Sequence, residues 1–267
     1  MVSSPRRVLI TGASSGLGRE MAVQLGRQGC RLALTGRREG KLLAAADAAA
    51  KAGGQVLPLL GSVADMDTVR RHYAEVKKAW GGLDWAILNA GVGDSKNARE
   101  FSSEDFRWTY ATNVFGVTNW LEAVLPDMIA AGRGTVAAVS SLAGCRGLPK
   151  SGSYSSSKAA LITLMESTRQ DLLGTGVRVV TVCPGFVRSE LTDRNDARDM
   201  WFLMDTAEGA RRVLRGVERG ERLVLFPWQL AWPMFYIVRA LPPWLYDLLI
   251  GRFAKRHPKK PYVDETA

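Results

Sequence analysis

Short apolar runs alternate with segments of helical period along most of the chain. RVLIT (Arg7–Thr11) predicts a buried strand, followed by a glycine turn and a helix to about Gln28. RLALT (Arg31–Thr35) predicts a second strand, leading into KLLAAADAAAKA, a strong helix by intrinsic propensity. QVLPLL, a helix around Met66–Trp80, the strand DWAILNAG and a long helical stretch near Glu104–Ala130 continue the alternation. GTVAAVSS, a helix carrying Tyr154, then GVRVVTVCPG and RLVLF complete it. Continuous Val/Ile/Leu strands separated by helices are the pattern of a parallel sheet covered on both faces. The expected fold is therefore α/β, a Rossmann-type doubly wound parallel sheet. With no linker and no repeat, residues 1–225 read as a single domain and 226–267 as a helical, apolar C-terminal extension.

Composition narrows what such a domain does. At 267 residues and 46% hydrophobic, the chain can bury one large core. Its formal charge of +10 leaves three classes of partner: nucleic acid, an anionic cofactor, or an anionic membrane face. No Lys/Arg run interleaved with aromatics lies in the main body, so nucleic acid is not expected. The visible excess sits at Arg252, Lys255, Arg256, Lys259 and Lys260. Three cysteines (Cys30, Cys145, Cys183) and two histidines form neither a disulfide framework nor a zinc pattern, so no metal is expected. The start, MVSSPRRVLIT, lacks the apolar core of a secretory signal. A cytoplasmic setting is the expectation.

The segment TGASSGLG lies after the first strand and opens the first helix, where a phosphate-binding turn belongs. Gly12 allows the tight turn, while Gly16 and Gly18 let backbone and helix approach a pyrophosphate. With Ser14, Ser15 and Leu17 they form the candidate cradle; a purely structural loop is the alternative. A carboxylate closing the second strand would accept the adenosine ribose hydroxyl. Thr35-Gly36-Arg37-Arg38 instead offers guanidinium forks that suit phosphate. Arg37 is assigned to a 2′-phosphate, which favours NADP(H) over NAD(H), and Arg38 to the start of a solvated helix. In SYSSSKAALITL, Tyr154 and Lys158 stand one helical turn apart on one face. Alone, this is either a proton-transfer pair or two polar residues on an amphipathic helix.

Taken together and in order, these motifs resemble the short-chain dehydrogenase/reductase family from about residue 6 to 225. TGASSGLG is similar to its cofactor turn. Ser62-Val63-Ala64-Asp65 stands where the family has Asp-Val-x-Asp, with Ser62 in place of the Asp that touches adenine and backbone contact left to Val63. Asn89-Ala90-Gly91 resembles the Asn-Ala-Gly after the fourth strand, and Asn113 the active-site Asn of the long central helix. Ser141 precedes Tyr154 by 13 residues, the family's offset for its serine. Pro184-Gly185-Phe186-Val187-Arg188-Ser189 resembles the Pro-Gly-x-Val-x-Thr segment beside the nicotinamide, which implies contacts from Pro184, Gly185, Val187 and Ser189.

The resemblance implies Asn113, Ser141, Tyr154 and Lys158 as catalytic groups, and the chemistry agrees. A carbonyl accepting hydride develops alkoxide charge and needs a proton donor aimed at that oxygen. Tyr154 is that donor. Work near neutrality calls for lowering its pKa from about 10, at about 4 kcal/mol, through the Lys158 cation. Lys158 also clamps the nicotinamide ribose, Ser141 donates to the substrate oxygen, and Asn113 holds a helix kink and a water linked to Lys158. Ser155, Ser156 and Ser157 are expected only to pack. The activity so implied is an NADP(H)-dependent reduction of a carbonyl, or oxidation of a secondary alcohol. An NAD(H)-linked alcohol dehydrogenase and a non-catalytic dinucleotide-sensing protein are the alternatives. Relatives commonly pair through their long helices, which implies a homo-oligomer.

Beyond the last strand, sixteen uncharged residues lie between Arg222 and Arg239. A bilayer-spanning helix needs about 20, and Pro227, Pro233, Pro242 and Pro243 divide the segment. Two readings stay open. The extension caps the active site or a subunit interface, or Trp228, Trp232, Trp244 and Tyr246 lie in a membrane interface beside the basic tail. Either way, an apolar substrate is implied.

Overall fold

The computed structural model describes residues 5–93, 96, 98–193, 198 and 200–254; the basic tail from Lys255 onward lies outside them. Seven strands form one parallel sheet: β1 (Arg7–Thr11), β2 (Arg31–Gly36), β3 (Gln55–Leu60), β4 (Trp85–Leu88), β5 (Gly134–Val139), β6 (Val177–Pro184) and β7 (Leu223–Phe226). The spatial order is β3-β2-β1-β4-β5-β6-β7. The chain thus winds outward from β1 in one direction and resumes at β4 in the other. Ligands of open α/β sheets bind at this switch point, beyond the carboxyl ends of the strands.

Why the strands read as unbroken apolar runs follows from the two layers that cover them. Val8, Ile10, Leu32, Leu34, Ile87 and Val182 face one side. There they meet α1 (Gly16–Gly26), α2 (Glu39–Lys51) and α7 (Thr206–Arg219). Leu9, Ala33, Ala86, Leu88, Val136 and Val179 face the other side. They meet α3 (Met66–Trp80), α5 (Gly116–Ala130) and α6 (Gly152–Asp171). Successive side chains of a strand point to opposite faces, so a sheet covered twice admits no polar alternation. The two edge strands depart from this: β7 is half buried, and β3 is half exposed and accommodates Pro58, as edge strands do.

The long helical stretch expected near Glu104–Ala130 is interrupted. α4 (Ser103–Tyr110) passes into a wider π-helical turn at Ala111–Phe115 before α5 begins. After β7 the chain forms a short α8 (Trp228–Trp232), a further π-turn at Pro233–Ile237, and α9 (Pro243–Ala254). Among the described residues no helix is long and apolar enough to cross a membrane.

Candidate active site

A cleft of about 510 Å³ opens across the carboxyl ends of the strands. Gly12, Ser14, Ser15, Gly16, Leu17 and Arg37 line one end; Ser62, Val63, Asn89, Ala90 and Gly91 line the middle. Ser141, Tyr154, Lys158, Pro184, Gly185, Val187 and Ser189 line the other end. Two sequence-assigned residues lie behind this wall: Gly18 and Asn113.

Gly18 supports the turn. A Cβ there would collide with the Gly12 carbonyl oxygen and stand 2.8 Å from Asn89 Nδ2. Gly12 itself adopts a left-handed φ of 65°, and a Cβ on it would come 2.7 Å from the Ala90 Cα. The turn is thus pressed against the end of β4. Asn89 fixes the contact by donating from Nδ2 to the carbonyl oxygens of Thr11 (3.0 Å) and Gly12 (3.2 Å). Thr11 Oγ1 answers by accepting from the backbone N–H of Asn89 and of Ala90. Above the turn, α1 begins with no side-chain cap from Ser15, so its first amides face the cleft as an anion site. Glycine cradle, uncapped helix and buried lysine fit a nicotinamide dinucleotide.

At the ribose end, Arg37 is exposed on the rim. Arg38 stands at the start of α2, and its guanidinium also donates to Ser15 Oγ (3.0 Å) and Glu190 Oε2 (2.6 Å). Lys41 donates to Glu190 Oε1 at 3.0 Å. Partial burial works against ionising Glu190, yet the hydrogen bonds and charges of Arg38 and Lys41 hold its carboxyl below the usual range. Glu190 lies far downstream in sequence, so nothing local pointed to this ion pair.

At the chemical end, Tyr154 and Lys158 project from the first turns of α6. The Tyr154 ring lies against Gly93, where a Cβ would stand 2.8 Å from Tyr154 Cδ2. Lys158 is buried; its Nζ donates to the Val139 carbonyl oxygen at 2.8 Å and sits 5.6 Å from the Tyr154 ring centre. Ser140 Oγ donates to the Lys158 carbonyl oxygen at 2.7 Å, tying α6 to the end of β5. Ser141 Oγ accepts from the Ala143 N–H at 3.1 Å. Burial raises the Tyr154 phenol above its ordinary pKa, against the pull of a hydrogen bond with Ser141. The same burial lowers Lys158 to about 8. Burial is thus the largest influence on both groups, and it disfavours the charged form of each.

Asn113 is fully buried in the π-turn. Its Oδ1 accepts from the Val92 N–H and its Nδ2 donates to the Val92 carbonyl oxygen, both at 2.8 Å. Its remaining amide hydrogen goes to Ser157 Oγ at 2.9 Å. Ser157 in turn donates to the Tyr154 carbonyl oxygen at 2.8 Å. Asn113 thus locks the loop after β4 to α6, and Ser157, expected only to pack, is the link. The one-residue widening of the π-turn has no periodic signature, which is why it escaped the sequence. Ser157→Ala leaves a buried amide hydrogen unpaired and is expected to lower stability by about 1–2 kcal/mol, read by urea unfolding.

A family model of short chain dehydrogenases matches residues 6–199. An oxidoreductase of Myxococcus xanthus, named as uncharacterized, is 46% identical over 249 residues, covering 93% of this chain and 98% of that protein. A 3-oxoacyl-(acyl-carrier-protein) reductase of Staphylococcus aureus is 32% identical over 190 residues, covering 70% and 77%. Among solved structures, a short chain dehydrogenase/reductase from Burkholderia phymatum in complex with NAD superposes with a TM-score of 0.80. It covers 97% of this chain and 98% of its own at 24% identity, a likeness of fold. The sheet order, the cleft at its switch point and these matches agree: the chain belongs to the short-chain dehydrogenase/reductase family of nicotinamide-dependent oxidoreductases.

Proposed function

We propose that the protein is an NADP(H)-dependent reductase of an apolar ketone or aldehyde. Tyr154 is the proton donor, Lys158 its cation and ribose clamp, Ser141 the second donor to the substrate oxygen, and Asn113 the positioning residue. The observation that carries this reading is the convergence of Tyr154, Lys158 and Ser141 at one end of a cleft whose other end is an uncapped helix and a glycine turn. When bound, reduced nicotinamide supplies the hydride. The chain's own residues answer the negative charge that develops on the carbonyl oxygen. Tyr154, kept protonated by its burial, is ready as an acid at neutral pH. Ser141 is within reach of the phenol and offers a further hydrogen bond, and the Lys158 ammonium stabilises the phenolate left behind. A protonated phenol favours the reductive direction; the reverse reaction needs the phenolate and gains with rising pH.

Val92 and Leu191 on the cleft wall, and the cluster of Leu142, Cys145 and Cys183 behind Ser141, support an apolar substrate. Pairing through the long helices is part of the same proposal, supported by the exposure of Phe115 and Ile129 along α5 and its entry turn. The experiment that tests the assignment is a carbonyl screen following NADPH absorbance, with lipid-like and small ketones side by side. Turnover of none of them, in a protein that binds NADPH, overturns the enzymatic reading.

NAD(H) is a second reading, favoured by Glu190, which already pairs with Arg38 and Lys41 beside Arg37. Arg37→Asp separates the two. If Arg37 holds the 2′-phosphate, the substitution weakens NADPH binding about 10- to 100-fold, the worth of one charge-assisted contact, and leaves NADH nearly unchanged. Equal affinities for NADPH in both proteins reject the assignment of Arg37.

A further inference from the structure

The C-terminal extension turns one side to the body of the protein and another to solvent. Inward, Ala231 is buried, and Leu230 and Phe235 pack with Leu142, Cys145 and Cys183. Tyr246 Oη donates to the Gly147 carbonyl oxygen at 2.8 Å. Arg146 donates from Nη1 to the carbonyl oxygens of Arg239 (3.1 Å) and Leu241 (3.0 Å), and its guanidinium lies 4.4 Å from the Tyr246 ring centre. These contacts hold the extension against the loop that follows Ser141.

The outward side is aromatic. Trp228, Trp232 and Tyr236 follow one another at intervals of four and are 69%, 56% and 55% exposed. The rings of Trp232 and Tyr236 lie 6.0 Å apart. On α9, Trp244 is 69% and Leu248 57% exposed, again four residues apart. Four-residue spacing on a helix puts such side chains on one face. Water disfavours so much fixed apolar surface, and the contacts above keep it from folding inward. Between residues 223 and 251 the only charged residues are Arg239 and Asp247. Immediately afterwards come Arg252, Lys255, Arg256, Lys259 and Lys260, with no acidic residue among positions 252–260.

We propose that this face docks the protein onto an anionic phospholipid surface, with the tryptophans seated at headgroup depth and the basic segment on the lipid charge. Indole and phenol rings, with an apolar body and a polar edge, favour that depth. Lys and Arg are attracted to an anionic leaflet, so the tail supplies the attraction that a modest apolar face lacks. A second copy of the chain is a poorer occupant. Two copies carry the same positive excess at positions 252–260, so neither offers the other the opposite charge that an anionic surface does.

Flotation tests this with the full chain and two vesicle types, phosphatidylcholine alone and phosphatidylcholine with phosphatidylglycerol. At about 0.1 M salt the protein is expected to float with the anionic vesicles and at least tenfold less with the zwitterionic ones. The combined variant Trp228→Ser, Trp232→Ser and Trp244→Ser is expected to lose at least about tenfold of that binding. Its NADPH affinity and unfolding midpoint should stay unchanged, because all three side chains are exposed. NADPH affinity reports on the cofactor site separately, so the docking result stands or falls independently of the reductase assignment. Absence of flotation with anionic vesicles overturns the proposal, as does binding that the triple variant retains. A dimer in light scattering that the triple variant dissolves, in a protein that does not float, assigns the face to self-association instead.

Discussion

Tyr154→Phe is expected to lower kcat by about 10³-fold or more while leaving NADPH affinity within about twofold. A positioned general acid contributes roughly 10²–10⁴ to such a rate, and the phenol is the group aimed at the substrate oxygen in the proposed reaction. The substitution removes one oxygen and keeps the ring that packs against Gly93. Its hydroxyl carries the link to Ser141 and none of the bonds that hold the loop after β4. Stability should therefore move by less than about 1 kcal/mol, so that lost activity cannot be ascribed to lost structure. Single-turnover mixing with NADPH, alongside a fluorescence titration of NADPH, separates chemistry from binding. A rate within tenfold of the parent would assign proton transfer to another group.

Lys158→Met should yield a protein that is inactive yet more stable at neutral pH. Lys158 is buried, and its pKa falls from 10.5 to about 8. Below pH 8 the native state carries the buried ammonium at a cost of about 3 kcal/mol, from 1.36 kcal/mol per unit. Between about 8 and 10.5 the native lysine has released its proton while the unfolded one keeps it. Unfolded chains then bind more protons, so stability rises with pH across that window and levels off above it. Methionine fills nearly the same space and abolishes both the penalty and the slope. It also leaves the Val139 carbonyl without its donor, which returns about 1–3 kcal/mol and reduces the net gain at pH 7 to about 1 kcal/mol. Urea unfolding of both proteins at pH 7 and pH 10 gives the comparison. Identical changes with pH in the two would mean that Lys158 carries no such penalty. Turnover should drop at least about 10²-fold, because the phenolate loses its cation.

The strands were legible because helices cover both faces of the sheet, which forces continuous apolar runs such as RVLIT and VRVVTV. The glycine turn was legible because Gly12 and Gly18 meet a steric demand that no other residue satisfies. What stayed hidden depends on partners distant in sequence. Arg38 looks like any helix-starting arginine until the fold brings Glu190 to it. Ser157 looks like filler until the π-turn presents Asn113. The upward direction of the Tyr154 shift was hidden for another reason: motif spacing shows that a lysine stands nearby, not how much burial the surrounding fold imposes. Desolvation is a property of the whole surrounding fold.

The order in which the chain emerges during synthesis gives the extension a second significance. Leu230, Ala231 and Phe235 pack on Leu142, Cys145 and Cys183, which are made long before them. Until the extension arrives, a nascent chain with a largely complete sheet carries a greasy, unroofed flank beside its catalytic helix. Such surfaces recruit holding chaperones or stick to one another. Premature termination after β7 therefore produces a different molecule, one that has Ser141, Tyr154 and Lys158 yet lacks the residues that cover the flank beside them.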